Sequence, residues 1–388
     1  MKITVAFCSL LLLTSSLIVL AFPASARKSA ADSHYLAFVG TYTNKTDSKG
    51  IYAFDFDATT GKLTPKGLAA ATPDPSWVVI HSSGKFLYAA NESGQPGSVT
   101  SFAIDAQSAK LTRLDQVSAL GEGPCHLSID KTGRYLFLAN YSSGNVVVFP
   151  ILPDGKLGEP TANVKNAGAL GPNKGRQEGP HAHWVEVSPD NRFLLVADLG
   201  IDTILSYSFD ATKGTLAPNK PSFLRPLAAG AGPRHAAFSP DGRYFYVLSE
   251  LNSTVTVFAY APDHGVFGFL GVVPMLPSGF EGRNDAAEIA VHPSGKWLFA
   301  SNRGNDSIAS FAVDPAKGTL TLLTITPTGG KEPRHFAIDP TGRYLLAENQ
   351  NSNTIVVFAI DPATGALKQL SKAEGIPSPI CLAFCPAH

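Results

Sequence analysis

Histidine and arginine side chains recur in short proline-led motifs, and these groups are the best suited in the chain to acid–base chemistry and anion binding. Pro-Arg-His occurs at residues 233–235 and 333–335, and Pro-His-Ala-His at residues 180–183. An imidazole can transfer protons near neutral pH, and a guanidinium binds carboxylate or phosphate through two parallel hydrogen bonds. The motifs therefore indicate a site for a small, anionic, oxygen-rich molecule.

A repeat of about 50 residues carries these motifs. In the copy at residues 232–258 the motif opens a strand, the turn Ser239–Arg243 follows, and an aromatic and β-branched run returns antiparallel to that strand. Each copy closes on a turn related to Asp-x-x-x-Gly-x-Leu, and seven such turns lie between Asp57 and Leu367. This pattern predicts an all-β fold, a seven-bladed β-propeller with four antiparallel strands per blade.

The two ends of the chain complete one repeat between them. The first strands, His34–Thr43 and Gly50–Phe56, have no opening strand before them. Pro379–Pro386 matches an opening strand, and the chain stops soon after it. Pairing of this C-terminal strand with the N-terminal strands would close the ring and remove exposed sheet edges.

Propeller geometry brings the start of the first strand and the end of the second strand of every blade to one mouth of the central channel. Folding each hairpin about its turn predicts the cross-strand pairs Arg234–Ser249, Cys125–Asn140, His183–Asp198 and Arg334–Asn349. The predicted mouth contains His126, His181, His183, Arg234, His235, Glu250, Arg303, Arg334 and His335, with Asp198 and Glu288 beside them.

Residues that interrupt the repeat are the stronger functional candidates. The His-Ala-His motif is confined to one copy, and the counterparts of Glu250 in other copies are Glu92, Tyr141, Leu199, Arg303 and Gln350. His126, His235 and His335 occupy the same position in three copies of the repeat. A structural role, hydrogen bonding to a neighbouring blade's backbone, explains them as well as a functional role does. The turn arginines Arg134, Arg243 and Arg343 are predicted to be structural. Two long insertions, residues 163–177 and 275–285, are predicted loops that suit either function or variable decoration.

Charge and motif content argue against several functional classes. The chain has 31 basic and 31 acidic residues and no basic stripe, so nucleic acid is not an expected partner. It has no Gly-x-Ser-x-Gly elbow, P-loop, dinucleotide fingerprint or Cys-x-x-Cys pair. Covalent serine catalysis is therefore disfavoured.

The N-terminal segment has the features of a secretory signal peptide. Lys2 precedes a mostly apolar run, Val5–Phe22, and Ala24-Ser-Ala26 is a small-residue cleavage pattern. An uncleaved membrane anchor is the alternative. We expect residues 1–26 to be removed and residues 27–388 to form one exported domain, periplasmic or secreted, monomeric and without membrane contact.

A set of motifs occurs in a fixed order along the chain: Gly40–Thr43, Pro180–His183, Gly232–His235, Ser249–Leu251, Ser301–Gly304 and Pro333–His335. This ordered set resembles the seven-bladed propeller lactonase family, which includes propeller-type 6-phosphogluconolactonases and fungal carboxy-muconate cyclases. The resemblance spans essentially all of the mature chain. It implies catalytic groups at His181 or His183, Arg234, Glu250 and Arg303, and a mechanism without a metal or other cofactor.

The predicted function is hydrolysis of a sugar lactone, resembling the 6-phosphogluconolactonase reaction. His181 or His183 would activate water, aided by Asp198 or Glu250. Substrate contacts are predicted for Arg334, His126, His235, Glu288 and His335, with Arg234 and Arg303 holding the anion. An exported binding propeller without activity and a muconate-type lactonising cycloisomerase are the alternatives. A metal-dependent hydrolase would need Glu250, Asn140, Asp198 and Asn302 as oxygen ligands, although these are spread around the ring.

Overall fold

The computed structural model describes Met1, residues 34–224 and residues 227–386, and these residues form seven four-stranded antiparallel sheets. The predicted signal peptide lies outside the described residues apart from Met1. The innermost strands of successive sheets contact one another in a closed cycle. The predicted seven-bladed propeller is therefore confirmed.

The strands of the first four blades are β1 (His34–Thr41), β2 (Gly50–Asp57), β3 (Lys62–Ala71), β4 (Pro75–Ile80), β5 (Phe86–Asn91), β6 (Ser98–Asp105), β7 (Lys110–Ser118), β8 (Pro124–Ile129), β9 (Tyr135–Asn140), β10 (Asn145–Pro150), β11 (Ala162–Lys165), β12 (Ala182–Val187), β13 (Phe193–Asp198), β14 (Thr203–Asp210) and β15 (Thr215–Leu224). Those of the last three blades are β16 (Pro233–Phe238), β17 (Tyr244–Ser249), β18 (Thr254–Ala261), β19 (Val266–Pro274), β20 (Asp285–Val291), β21 (Trp297–Arg303), β22 (Ser307–Val313), β23 (Leu320–Pro327), β24 (Pro333–Ile338), β25 (Tyr344–Asn349), β26 (Thr354–Ile360), β27 (Leu367–Glu374) and β28 (Pro379–Pro386). A single 3₁₀ turn, Gln350–Ser352, completes the regular structure among the described residues.

The ring closes through the two ends of the chain, as predicted. Strand β28 pairs antiparallel with β1, and their sheet has the order β28-β1-β2-β3. The C-terminal strand thus occupies the innermost position that the first strand holds in the other blades. Closure covers the edge that an open ring would leave exposed.

Apolar side chains fill the spaces between neighbouring blades. Tyr246 and Leu248 of β17, for example, belong to one buried cluster with Leu298 and Ala300 of β21 in the next blade. The second and third strands are buried on both faces, whereas outer strands such as β7 (Lys110–Ser118) are mostly exposed and polar. This rigid stack of sheets fixes the positions of the strand ends around the channel.

The hairpin turns between first and second strands occupy the face opposite the mouth, which we call the turn face. In the fifth blade, Asp241 accepts hydrogen bonds from Ser239 Oγ (2.6 Å) and Arg243 Nε (2.7 Å). Arg243 also donates to the Pro315 carbonyl oxygen of the next blade (2.7 Å). Arg134 makes the equivalent bond to Ala211 (2.7 Å), so the structural role predicted for these two arginines is confirmed.

Every blade has a β-bulge near the start of its first strand, and the predicted cross-strand pairs were wrong because of it. Pro233, not Arg234, pairs with Ser249, and His235 pairs with Leu248. The same shift separates Cys125 from Asn140, His183 from Asp198 and Arg334 from Asn349. A bulge inserts one extra residue and turns its side chain. In the fifth blade, the consecutive residues Arg234 and His235 are both buried and contact the carboxylates of Glu250 and Glu288.

Candidate active site

A buried carboxylate surrounded by arginines lies at the mouth of the channel. Glu250 follows β17 and is 3% exposed. Its Oε2 atom lies 3.1 Å from Arg234 Nε and 3.1 Å from Arg303 Nη2, and its Oε1 atom accepts a hydrogen bond from Arg176. Burial alone would raise the pKa of Glu250, but Arg303, Arg234 and Arg176 together lower it to about 2. Glu250 is therefore an anion that holds three guanidinium groups together.

The arginines of this cluster are themselves anchored to the sixth blade. Arg234 donates to the Ala287 carbonyl oxygen, and Arg303 Nε donates to that of Asp285 (3.2 Å). Burial, followed by the charges of Arg303 and Arg334, lowers the pKa of Arg234. An added anion near Arg234 would relieve this repulsion, which makes the cluster suited to a developing negative charge.

Arg176 was not among the predicted site residues, although it lies in the predicted loop at residues 163–177. It reaches across from that loop to Glu250, and its Nη1 atom lies 3.4 Å from Asp285 Oδ1. Its side chain is 30% exposed, so it covers the cluster from the solvent side. The only sequence signal for it was the unusual length of the loop.

A second arginine site occupies the other side of the mouth. The Arg334 guanidinium carbon lies 5.4 Å from the centre of the Tyr42 ring. The Tyr42 hydroxyl donates to Glu92 Oε2 (2.7 Å). Burial raises the pKa of Tyr42, so its hydroxyl keeps its proton near neutral pH. Arg334 therefore lies at the mouth as predicted, but its neighbours come from the first two blades.

The structure separates the two histidines of the His-Ala-His motif. The His181 ring is stacked on Tyr141, with ring centres 4.4 Å apart, and its nitrogens contact the Tyr141 carbonyl oxygen (3.0 Å) and Glu178 Oε1 (3.1 Å). The Asp198 carboxylate accepts the backbone N–H of His181 (2.7 Å) and Asn166 Nδ2 (2.8 Å). His181 and Asp198 thus stabilise the backbone of the loop. The Asp198 carboxylate is not the hydrogen-bond partner of either imidazole.

His183 is the bulge residue of its blade, and it points to the interior. Its Nδ1 atom lies 3.9 Å from the Cys125 sulfur, and its ring contacts Tyr141 and His235 with centres 5.4 and 5.2 Å away. Burial, then the charges of Arg234 and His235, lowers the pKa of His183. The imidazole is therefore neutral at pH 7.

Beneath the mouth, histidines and carboxylates form a buried chain. His235 Nδ1 lies 2.9 Å from Glu288 Oε2, which lies 3.7 Å from His335 Nε2. His335 Nδ1 in turn contacts Glu348 Oε2 at 2.7 Å. Burial raises the pKa of Glu288 and Glu348 and lowers that of both histidines. Glu348 was not predicted as a site residue. It pairs with His335, whereas the residues that pair with His235 and His126 in their blades are Leu248 and Ala139.

The three repeated histidines, His126, His235 and His335, have two kinds of hydrogen-bond partner. His126 accepts the backbone N–H of Val185 in the next blade (3.4 Å), as expected for a histidine that joins blades. His235 and His335 contact carboxylates instead. The His126 ring also packs on Trp77, with centres 4.3 Å apart, and both rings lie against His235. These aromatic groups form the floor of the mouth.

The four residues whose oxygens a metal-dependent hydrolase would need, Glu250, Asn140, Asp198 and Asn302, lie in four different blades. Asn140 Nδ2 donates to the Ala119 carbonyl oxygen (2.9 Å) and Asn302 Nδ2 to that of Met275 (3.0 Å), and each acceptor lies in the connection from the preceding blade. Within residues 34–224 and 227–386, no group of three or more His, Cys, Asp or Glu side chains is arranged to hold a metal ion. In the same ranges, no helix has the length and apolar character needed to cross a membrane.

Comparison with known proteins agrees with this geometry. The family model described as "Lactonase, 7-bladed beta-propeller" matches residues 36–384. A 6-phosphogluconolactonase from Bacillus subtilis is 36% identical over 300 residues, which cover 77% of this chain and 84% of the relative.

Two solved structures are similar over nearly their whole length. A putative 6-phosphogluconolactonase from Bacteroides fragilis has a TM-score of 0.85 and 36% identity, covering 92% of this chain and 99% of that one. The periplasmic gluconolactonase of Pseudomonas aeruginosa has a TM-score of 0.84 and 36% identity, covering 91% and 99%. The chain therefore belongs to the seven-bladed β-propeller lactonase family.

Proposed function

We propose that the protein hydrolyses a sugar lactone at the mouth of the channel. A water oxygen adds to the lactone carbonyl carbon, the ring carbon–oxygen bond breaks, and the ring oxygen takes up a proton to give the open hydroxy acid. The observation that carries this proposal is the Glu250 cluster, in which Arg234 and Arg303 are buried, fixed and close together. Preorganised donors of this kind stabilise the negative charge that develops on a carbonyl oxygen during acyl transfer.

His183 is the proposed base. It is the histidine of the His-Ala-His motif that faces the interior, and its lowered pKa keeps it neutral at pH 7. It would take a proton from the attacking water and return it to the ring oxygen that leaves. His181 supports this role indirectly, since its ring and backbone hold the loop that precedes His183.

Glu250 has a positioning role in this proposal. Both oxygens of the Glu250 carboxylate are engaged by guanidinium groups, so they are not free to accept a proton from water. Its two oxygens instead set the spacing of Arg234, Arg303 and Arg176. The buried carboxylates and imidazoles below would keep the floor of the site rigid, and Arg334 would bind the anionic or hydroxyl groups of the substrate.

Export is part of the proposal. The signal-peptide pattern at residues 1–26 would place the mature protein outside the cytosol. Phosphogluconate chemistry is cytosolic, so the exported protein would not meet that substrate. The similar Pseudomonas aeruginosa protein is described as periplasmic. We infer an exported, monomeric enzyme that acts on an unphosphorylated lactone without nucleic acid or membrane partners.

The test is a hydrolysis assay of the mature protein, residues 27–388, on glucono-δ-lactone and 6-phosphogluconolactone, with spontaneous hydrolysis subtracted. The proposal expects turnover, with higher kcat/KM on the unphosphorylated lactone. Arg234→Lys keeps the charge but loses the planar fork, and it should lower kcat/KM by about 10²-fold. The absence of turnover on both lactones would overturn the proposal and favour a binding propeller.

A further inference from the structure

A side cavity of about 470 Å³ opens next to the mouth, between the two loops that interrupt the repeat. Asn173 and Arg176 come from the first loop, Leu276 and residues 282–285 from the second, and residues 251–253 from the connection after Glu250. This volume falls within the range of ligand-binding pockets, about 300–1,000 Å³. The proposed hydrolytic reaction does not use this space.

Arg176 forms the wall between the side cavity and the Glu250 cluster. One of its terminal nitrogens contacts Glu250, and the other lies 3.4 Å from Asp285, which lines the side cavity. A molecule held at the mouth by Arg234 and Arg303 would therefore reach the side cavity by passing one side chain. A substrate with a substituent beyond the reacting ring could occupy both spaces at once.

The lining of the side cavity suits an uncharged group with many hydroxyls. The side chains of Asn173, Asn252 and Ser253 offer amide and hydroxyl donors and acceptors. Leu251 and Leu276 add apolar surface, against which the C–H face of a sugar ring can pack.

Each charged side chain of the side cavity already has a partner of opposite charge, with two arginines to one aspartate. Arg283 Nη2 lies 2.8 Å from Asp285 Oδ2, and Asp285 also faces Arg176. A phosphate placed here would approach the Asp285 carboxylate and would have to take both arginines from it. A neutral sugar, in contrast, can bind here without taking either arginine from Asp285.

We propose that the side cavity binds the second sugar unit of a disaccharide-derived lactone whose lactone ring reacts at the mouth. The inference rests on the proposed lactonase activity and extends it to a substrate class. It gives the two long loops a common role, since neither alone encloses the side cavity. It also makes Arg176 the contact between the two sugar units.

The experiment compares kcat/KM of the mature protein on cellobiono-, maltobiono- and lactobionolactone with kcat/KM on glucono-δ-lactone. We expect at least one disaccharide lactone to exceed glucono-δ-lactone by about tenfold, which corresponds to about 1.4 kcal/mol of added transition-state binding. Asn252→Phe should fill the side cavity from an exposed position and return this ratio to about one. Asn351→Phe, exposed in the corresponding connection of the last blade, is the matched control and should leave the ratio unchanged.

Binding of the aldonic acid products provides a readout that does not depend on turnover. Cellobionate, maltobionate and lactobionate are titrated by calorimetry against the wild-type protein and both variants, with gluconate as the reference ligand. The proposal expects at least one disaccharide acid to bind more tightly than gluconate, and only Asn252→Phe to remove the difference. A ratio and affinities unaffected by Asn252→Phe would overturn the side-cavity proposal while lactone hydrolysis stands. Loss of hydrolysis on every lactone, with product binding retained, would overturn the proposed function alone.

Discussion

Arginine serves two different purposes at the two faces of the ring. On the turn face, Arg134 and Arg243 are exposed, and each donates to a carbonyl oxygen of the next blade at 2.7 Å. At the mouth, Arg234 and Arg303 are buried and lie 3.1 Å from one carboxylate. The turn arginines recur at one position of the repeat, whereas Arg234 has a single equivalent, Arg334, and Arg303 has no arginine at its equivalent positions.

This difference shows how a repeat architecture separates structure from chemistry. A contact that every blade needs is encoded in every copy, and exposure to water keeps its individual contribution small. A buried charge is costly unless it is paired, so we infer that function retains the Arg234–Glu250–Arg303 group, which occurs once at the mouth. Departure from the repeat, combined with burial, therefore identifies the site better than residue type does.

The largest effect should come from Glu250→Gln. The substitution leaves three guanidinium groups close together without a counter-charge, and their repulsion would displace the oxyanion donors. We expect kcat/KM on the best lactone to fall by about 10³-fold. The free energy of unfolding should fall by roughly 3 kcal/mol or more, because a buried ion group loses one partner. Kinetics and urea unfolding at pH 7 measure the two quantities.

Asp241→Asn is the matched control for this prediction, because Asp241 pairs with Arg243 in the exposed turn. It should change neither kcat/KM nor the unfolding midpoint measurably. If the two variants behaved alike, the distinction between the faces would be lost.

Much of the fold was predictable from the sequence because the same local pattern occurs in several copies of the repeat. The turn at Ser239–Arg243 and its counterparts fix each hairpin, and the match of Pro379–Pro386 to an opening strand revealed the ring closure. The convergence of Arg234, Glu250 and Arg303 on one mouth followed from strand direction alone. These inferences depend on local patterns that are identical in several copies.

The finer geometry of the site could not be predicted in the same way. Arg234 is the extra residue of its bulge, and the turn pattern from which the hairpin was counted does not encode this insertion, so the predicted register was one residue off. Arg176 comes from a loop whose path depends on contacts with another blade, such as that with Asp285. The separate environments of His181 and His183 depend on a ring stacked from the preceding blade, Tyr141.

Arg176→Ala should have an effect on KM that lies between the effects of changing the mouth arginines and the turn arginines. Arg176 is part of the mouth cluster but is partly exposed, so it resembles the arginines of both faces. We expect KM to rise by about tenfold with a smaller change in kcat, as for a group that binds substrate and transition state alike. Lys174→Ala, exposed in the same loop, is the control and should leave KM unchanged. A loss confined to kcat would contradict the proposed covering role.

The buried imidazoles should make stability depend on pH, and His126→Asn measures the contribution of one of them. Burial, followed by the charges of His235 and Arg234, lowers the pKa of His126 well below 6.5. Below pH 6.5 the unfolded chain therefore binds a proton that the folded protein does not bind. Between pH 6.5 and 5.5 the free energy of unfolding should therefore fall by about 1 kcal/mol more in the wild type than in the variant. Urea unfolding of both proteins measures this difference. An equal fall in the free energy of unfolding of both proteins between pH 6.5 and 5.5 would contradict the prediction.

The smallest effect is expected for Arg243→Lys on the turn face, and this variant completes the comparison with Arg234→Lys. Lysine can keep the charge near Asp241 but cannot donate to Asp241 and Pro315 with the same planar group. Because the site is exposed and far along the strand from the mouth, kcat/KM should stay within about twofold of the wild type. The identical substitution at the buried mouth position should cost about 10²-fold. Equal losses in both variants would mean that activity depends on ring stability as a whole, and the mouth cluster would lose its special role.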